Sequence, residues 1–474
     1  MKLLLCCEFY YPSVGGVQEV MRQLAERLVQ RGHDVTVATT KLPNRDFTEL
    51  NGVHIQEFSV RGNLVRSIEG EEKSYQDFVK NFPCDAILIK AAQQWTFDSL
   101  WPILDEIKAR KIFIPCGFSG LYEPSYKGYF EDLPKILHQF DDLIFYADDY
   151  RDTNFARKIG YKNLNIIPNG ASEVEFGPQP KTDFRTRHGI PKDSFVILTV
   201  GTLTGTKGHR ELAEAITKLD IKSKHVTLIL NGNAPITVKL DLSERSDESL
   251  EDRPKEGLAD IINKKKESLR LWLKDIHFSY IDLPRRALRV LFVEGWSATL
   301  SRVSLAFQRI VLSRDVGPLS LKSLMDQINK NSRKKVLLLD LPRTELIEAY
   351  QEADLFVFAS IIEYSPLVLF EAAASGTPFL SVPVGNSEEI ALWTQGGVIC
   401  PAKKDKQGYT RVDTQELADH IKQLINSPEL LAEMGKKARA RWEKYFSWDK
   451  ITDQYEAVLQ GKQVDVPVFL KDYS

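Results

Sequence analysis

Two glutamates, Glu363 and Glu371, stand eight positions apart on either side of Ser365-Pro366. Serine before proline reads as a helix start, with the hydroxyl as N-cap and the ring at the first helical position, where a missing N–H costs nothing. With Pro366 as the first helical residue, Glu371 lies roughly 7.5 Å further along the axis. One carboxylate then sits at the mouth of the helix and the other about one and a half turns down. Between them point the free N–H groups of the first turn, from Leu367 onward. Such a terminus attracts an anion by about 0.3–1 kcal/mol when exposed and up to about 2 when partly buried. A ligand with phosphate in its middle and hydroxyls at both ends suits this pattern: a sugar nucleotide, with the sugar toward Glu363 and the ribose toward Glu371. The plainer alternative is a helix whose early acids complement its own dipole.

Lys207 is the second chemical candidate. It lies in Gly201-Thr202-Leu203-Thr204-Gly205-Thr206-Lys207-Gly208, between an apolar strand, Phe195–Val200, and a helix from His209. A lysine flanked by glycines at a strand-to-helix junction can reach phosphate, although a solvated surface lysine is the bland alternative. Gly15-Gly16 follows the first strand in a similar loop. Two residues without a Cβ let backbone amides approach an anion closely, or simply make a tight turn.

The elements that must position these residues alternate along the chain. Strand-like runs are Leu3–Cys7, Asp34–Ala38, Val53–Phe58, Ala86–Lys90, Ile112–Pro115, Leu143–Ala147 and Asn165–Pro168. Val17, Met21, Leu24 and Leu28 form one apolar helical stripe after the Gly15-Gly16 loop. Pro/Gly punctuation from Gly177 to Pro180 marks a linker. Beyond it come strands Phe195–Val200, Val226–Asn231, Lys335–Asp340, Leu355–Ala359, Phe379–Val382 and Val398–Cys400, with helices between and after them. Strands separated by helical segments imply doubly wound parallel sheets. About a hundred residues separate Val226–Asn231 from the next strand, which implies an insertion at about 238–332.

The pair Glu363 and Glu371, with Ala374-Ser375-Gly376-Thr377-Pro378 and Gly385 after them, resembles the signature of glycosyltransferase family 4: two glutamates with seven residues between. Pro12, Gly15, Gly16, Gly32, His33, Val35 and Val37 match that family's first-domain pattern, and Ile167-Pro168-Asn169-Gly170 with Phe176 matches the end of that domain. The resemblance implies an α/β chain of GT-B fold, two Rossmann-like doubly wound parallel-sheet domains facing a cleft. Residues 1–178 would form the acceptor side, 185–447 the nucleotide-sugar side, and a C-terminal helix within 448–474 would return to the first domain. It further implies a retaining glycosyltransferase of hexosyltransferase type, moving a sugar from a nucleotide-sugar donor to a glycan, polysaccharide or lipid-linked acceptor. Glu371 would grip the ribose, Glu363 would lie near the donor sugar, and Lys207 would neutralise the diphosphate. Gly15, Gly16, Thr202, Ser365, Pro366 and Leu367 complete the donor set. Three positions depart from the family pattern: Tyr364 replaces a glycine, Thr202 an arginine, and Cys116 a histidine on the acceptor side. A missing arginine removes one charge-assisted contact, of order 1.5–3 kcal/mol. A catalytically silent GT-B partner protein and a nucleotide-sugar epimerase stay open as alternatives.

Composition narrows the field. The 474 residues suffice for two or three domains, and the net charge of −2 offers no global attraction to nucleic acid or membrane. Five scattered cysteines form neither a disulfide framework nor a zinc spacing, and the eight histidines show no metal-ligand pairing, so no metal and no cofactor is expected. The run Leu3–Cys7 is too short for a signal peptide, and no window has the length of a membrane span, so a cytoplasmic protein is expected. Within the insertion, Asp241–Glu256 is acidic and polar, a composition associated with disorder. The segment 262–314 interleaves Lys and Arg with aromatics such as Trp272, Tyr280 and Trp296. That mixture suits a peripheral contact with anionic lipid on the inner face of a membrane, or a helical insert packed on the domain.

Overall fold

The computed structural model describes residues 1–177, 183–221, 224–232, 320–462 and 464. Most of the insertion, including 262–314, lies outside the described residues. Met1–Gly201, Thr206–Gly232 and Leu324–Ser474 form one compact unit, while Thr202–Gly205 belongs to a second.

The large unit contains two parallel sheets. In the first, β1 (Lys2–Cys6), β2 (Asp34–Thr40), β3 (Glu49–Leu50) and β4 (Val53–Phe58) continue, past the hairpin β5 (Val60–Asn63) and β6 (Ser67–Gly70), into β7 (Ala86–Lys90), β8 (Arg110–Ile114), β9 (Asp142–Phe145) and β10 (Leu164–Ile166). Their spatial order is β10-β9-β8-β7-β1-β2-β4-β3, all parallel except the short β3. The second sheet has the order β13-β12-β11-β14-β15-β16 and is wholly parallel. Its strands are β11 (Phe195–Val200), β12 (Val226–Asn231), β13 (Lys334–Leu339), β14 (Leu355–Phe358), β15 (Phe379–Ser381) and β16 (Gly397–Ile399). A small hairpin, β17 (Ala402–Lys404) with β18 (Thr410–Val412), follows.

Both sheets are covered on two faces, which is why their strands read as unbroken apolar runs rather than alternating ones. Every residue of β7, β12 and β14 is buried. Helix α1 (Gly16–Gln30) lays Val20, Met21, Leu24 and Leu28 on one face of the first sheet. The helix Trp448–Leu459 joins the same cluster through Trp448, Ile451, Tyr455 and Val458. Arg31, just past α1, donates to Glu456 and Asp449 of that helix. The helix Trp448–Leu459 is thus a wall of the lobe built on the first sheet. Among the described residues no helix is long and apolar enough to cross a membrane.

One local expectation is corrected. Ser365 does not cap the helix, which runs over Leu367–Ser375 with Pro366 in the N-cap position at φ −72° and ψ 115°. The serine carbonyl is held by Asn169 Nδ2 at 3.0 Å, a contact from the end of the first lobe. The helix thus starts one residue later than local capping chemistry suggests, and among the described residues Ser365 Oγ is buried without a hydrogen-bond partner.

Candidate active site

The C-terminal ends of parallel strands are where loops of a doubly wound sheet gather and where ligands bind. Lys207 leaves the loop after β11 and Glu363 leaves the loop after β14, its neighbour in the sheet. Lys207 Nζ donates to Glu363 Oε1 at 2.5 Å, and Ser360 Oγ donates to the same oxygen at 3.2 Å. The two loops are pinned together: Ile361 N–H donates to the Thr206 carbonyl at 2.8 Å. Gly208 makes this possible, because at φ +78° a Cβ there would lie 2.1 Å from the Ala359 carbonyl oxygen.

The first turn of the helix Leu367–Ser375 opens beside this pair. Gly16, at the start of α1, is in ordinary contact range of it: a Cβ there would lie 3.8 Å from Leu367 Cδ1. Gly15 caps α1 without a side-chain hydrogen bond. Further along the same helix Glu371 is buried, and Arg343 reaches its Oε1 at 2.7 Å. Arg343 also donates twice to Glu175, at 3.0 and 2.7 Å, and its guanidinium stands 5.5 Å from the Phe176 ring centroid. Burial alone would lower this guanidinium's pKa, but Glu371 and Glu175 together hold it above its ordinary value.

The structure thus pairs Lys207 with Glu363, brings Gly16 to Leu367, and sets Glu371 against Arg343. Thr202 falls in the other compact unit, where its carbonyl accepts from Thr204 N–H at 2.7 Å. Cys116 lies on the first-lobe side, just past β8, with a left-handed backbone at φ +59°. It packs in the same cluster as Tyr364 and Leu367, and burial pushes its thiol up. Lys90, at the end of β7, is fully buried beside it and reaches the Tyr146 hydroxyl; burial lowers its amine.

Tyr364 turns away from the Lys207–Glu363 pair and enters the first lobe. Its hydroxyl accepts from Tyr146 N–H at 3.1 Å and donates to the Asp152 carboxylate. Its ring lies 4.8 Å from that of Tyr150, whose hydroxyl donates to the Glu363 carbonyl at 3.1 Å. Gly385, at φ +58°, lets the loop after β15 close on this segment, since a Cβ there would sit 2.2 Å from the Tyr364 carbonyl oxygen. A second polar tie runs from Glu389, which accepts from the Asp148 and Asp149 amides at 3.1 and 2.8 Å. Asn386 Nδ2 donates to the Tyr146 carbonyl at 2.9 Å. Burial raises the carboxyl of Asp152 to about 6 and that of Glu389 to about 7.

Sequence reasoning passed over Arg343, Glu175, Asp152, Asn386 and Glu389. Arg343 follows Pro342 at the start of an amphipathic helix, Arg343–Glu352, and only the fold brings its two acids to it. Chemically these residues offer a lysine, the amides of a helix start and two carboxylates. Those donors suit a diphosphate, and the carboxylates suit hydroxyls at either end.

Comparison with known proteins bears on the family and the fold. Residues 319–441 match the family model for glycosyl transferases group 1. Among curated proteins, the chain is 22 % identical to the phosphatidylinositol N-acetylglucosaminyltransferase GPI3 subunit of Saccharomyces cerevisiae, over 49 % of this chain and 53 % of that protein. It is 31 % identical to N-acetyl-alpha-D-glucosaminyl L-malate synthase of Bacillus anthracis, over 27 % of this chain and 32 % of that one. The chain thus spans about half, or less, of the length of these curated relatives. Among solved structures, Anabaena HepE in complex with UDP and glucose superposes with a TM-score of 0.61 at 16 % identity, covering 97 % of this chain and all 100 % of that one. Sucrose-phosphate synthase from Thermosynechococcus elongatus gives a TM-score of 0.61 at 17 % identity, covering 97 % and 98 %. The fold is GT-B.

Proposed function

From a chain whose residues 319–441 are a group 1 glycosyl transferase segment, we propose a glycosyltransferase that moves a sugar from a nucleotide-sugar donor to a glycan or lipid-linked acceptor. The observation that carries this reading is the Lys207–Glu363 contact at 2.5 Å beside the open first turn of the helix Leu367–Ser375. The donor diphosphate takes the place of Glu363 as the partner of Lys207, and the amides from Leu367 onward face its oxygens. Charge that develops on the leaving diphosphate then meets donors already in position, an arrangement typically worth about 10²–10³ in rate per donor. Glu371 holds the ribose. Glu363, released from Lys207, positions the donor sugar.

The reaction proceeds with retention and without a metal. The acceptor hydroxyl attacks the anomeric carbon on the face the diphosphate leaves, its proton passes to a leaving phosphate oxygen, and the glycosidic oxygen–carbon bond forms as the phosphate–carbon bond breaks. The yeast relative, a phosphatidylinositol N-acetylglucosaminyltransferase subunit, supports an acceptor carried on a lipid, and a peripheral position at a membrane agrees with it. The test is turnover across a panel of UDP-, GDP- and ADP-sugars, with the anomeric configuration of the product read by NMR and a chelator added. One donor consumed, with retention and no chelator effect, is expected. A product of inverted configuration refutes the same-face route, and loss of turnover with chelator refutes the metal-free one.

A second reading, a silent partner protein, is favoured by the ion pair itself, since Lys207 and Glu363 already satisfy one another. It predicts that no nucleotide sugar is consumed although nucleotide binds.

A further inference from the structure

We propose that Arg343 is a positioning residue for the ribose end of the donor site, holding Glu371 in the orientation that receives the sugar hydroxyls. The inference rests on the donor-site reading above and adds a residue to it. Glu371 is buried, with 11 % of its side chain exposed, so its carboxylate has few alternatives to a protein partner. Arg343 supplies that partner at 2.7 Å, through one nitrogen on Oε1. The guanidinium has no freedom to wander. Its Nε and a terminal nitrogen grip both oxygens of Glu175, and its plane lies against Phe176.

Glu175 and Phe176 come from the stretch that leaves the first lobe, and Phe176 is itself fully buried. Phe176 O is in turn held by Arg439. The carboxylate of Glu371 is therefore oriented by a rigid fork anchored on the chain that joins the lobes. A planar, always-charged fork suits this task where an ammonium point charge does not. Thr202, in the glycine-rich loop after β11, supplies no charge. Arg343 is placed to act at the other end of the ligand, through a carboxylate rather than on the phosphates.

If Glu371 receives ribose hydroxyls and Arg343 orients it, removing Arg343 selectively erases the protein's ability to tell ribose from deoxyribose. The experiment is calorimetric binding of UDP, GDP and ADP and of their 2′-deoxy forms to the full chain. Wild type is compared with Arg343→Met, Arg343→Lys and Glu175→Gln. Wild type is expected to prefer the ribonucleotide by about 10-fold or more, the worth of a hydrogen bond to a charged group. In Arg343→Met that ratio falls to near 1, with Arg343→Lys and Glu175→Gln intermediate and binding of inorganic pyrophosphate unchanged in all. A merely structural role would lower the melting temperature and weaken every ligand in proportion, leaving the ratio intact. An intact ratio in a folded Arg343→Met overturns the inference while the donor site stands; should that variant not fold, an intact ratio in both Arg343→Lys and Glu175→Gln does the same. Absence of nucleotide binding in wild type overturns both.

Discussion

Replacing Lys207 by Met separates the chemistry of this site from its architecture. Lys207 keeps 31 % of its side chain exposed and Glu363 16 %, so their contact is partly solvated. Ion pairs of that kind contribute about 1 kcal/mol or less to folding. Glu363 retains the Ser360 hydroxyl after the change and is not stranded. The fold should therefore persist, with an urea midpoint close to wild type. Turnover is a different matter. One donor preorganised on the leaving diphosphate is worth about 2.7–4 kcal/mol, so kcat should fall about 10²–10³-fold. Lys207→Arg keeps the charge and should recover part of it. Donor turnover is measured at saturating nucleotide sugar, with circular dichroism and melting recorded on the same samples. A folded Lys207→Met whose kcat stays within about threefold of wild type, a difference of under 1 kcal/mol in barrier, would remove Lys207 from the mechanism and with it the main argument for catalysis.

Other expectations concern how the lobes hold the site. Gly208→Ala places a Cβ 2.1 Å from the Ala359 carbonyl at a left-handed backbone, and should lower stability by more than the roughly 1–2 kcal/mol of the backbone strain alone, together with donor turnover. Tyr364→Phe strips partners from the Tyr146 amide and the buried Asp152; chemical denaturation should show a loss of about 1–3 kcal/mol, and no loss would mean the phenol ties nothing. Glu389, raised from 4.5 to about 7 in the fold, favours folding when protonated. Its contribution is complete below about pH 4.5 and is lost as pH rises through about 7, by at most about 3 kcal/mol. Glu389→Gln should flatten that part of the stability–pH curve, measured by urea midpoints at several pH values; an unchanged slope would assign the dependence elsewhere.

The parts of the chain that could be read in advance are those whose signal is local. The runs Ala86–Lys90, Phe195–Val200 and Leu355–Phe358 are apolar at every or nearly every position because both faces of their sheets are covered. Gly208 likewise marks a close backbone approach, to the Ala359 carbonyl. What stayed hidden depends on distant partners. Ser365 carries the local chemistry of a cap, yet Asn169 claims its carbonyl from the first lobe. Tyr364 reads as a bulky substitution beside a glutamate, and only the fold shows that its ring leaves the donor space for the first lobe. Arg343 looks like any charged residue at the start of an amphipathic helix until Glu175 and Glu371 converge on it. The hairpin β5–β6 has no such apolar run and includes Gly62 and Gly70, so nothing local announced it.

The helix Trp448–Leu459 has a consequence for how the protein is made. The ribosome finishes the eight strands of the first sheet long before it reaches Trp448, so that half emerges with one flank of its core still wet. Leu24 and Leu28 wait for Ile451, Tyr455 and Val458, and even after the last strand of that sheet ends at Ile166 the chain must still be made as far as Trp448. Domains generally mature as units in order of synthesis; here the earlier one is sealed by a segment made much later. Nascent chains stalled before Trp448 should accordingly be sensitive to protease in their N-terminal half and become resistant only once that helix clears the exit tunnel.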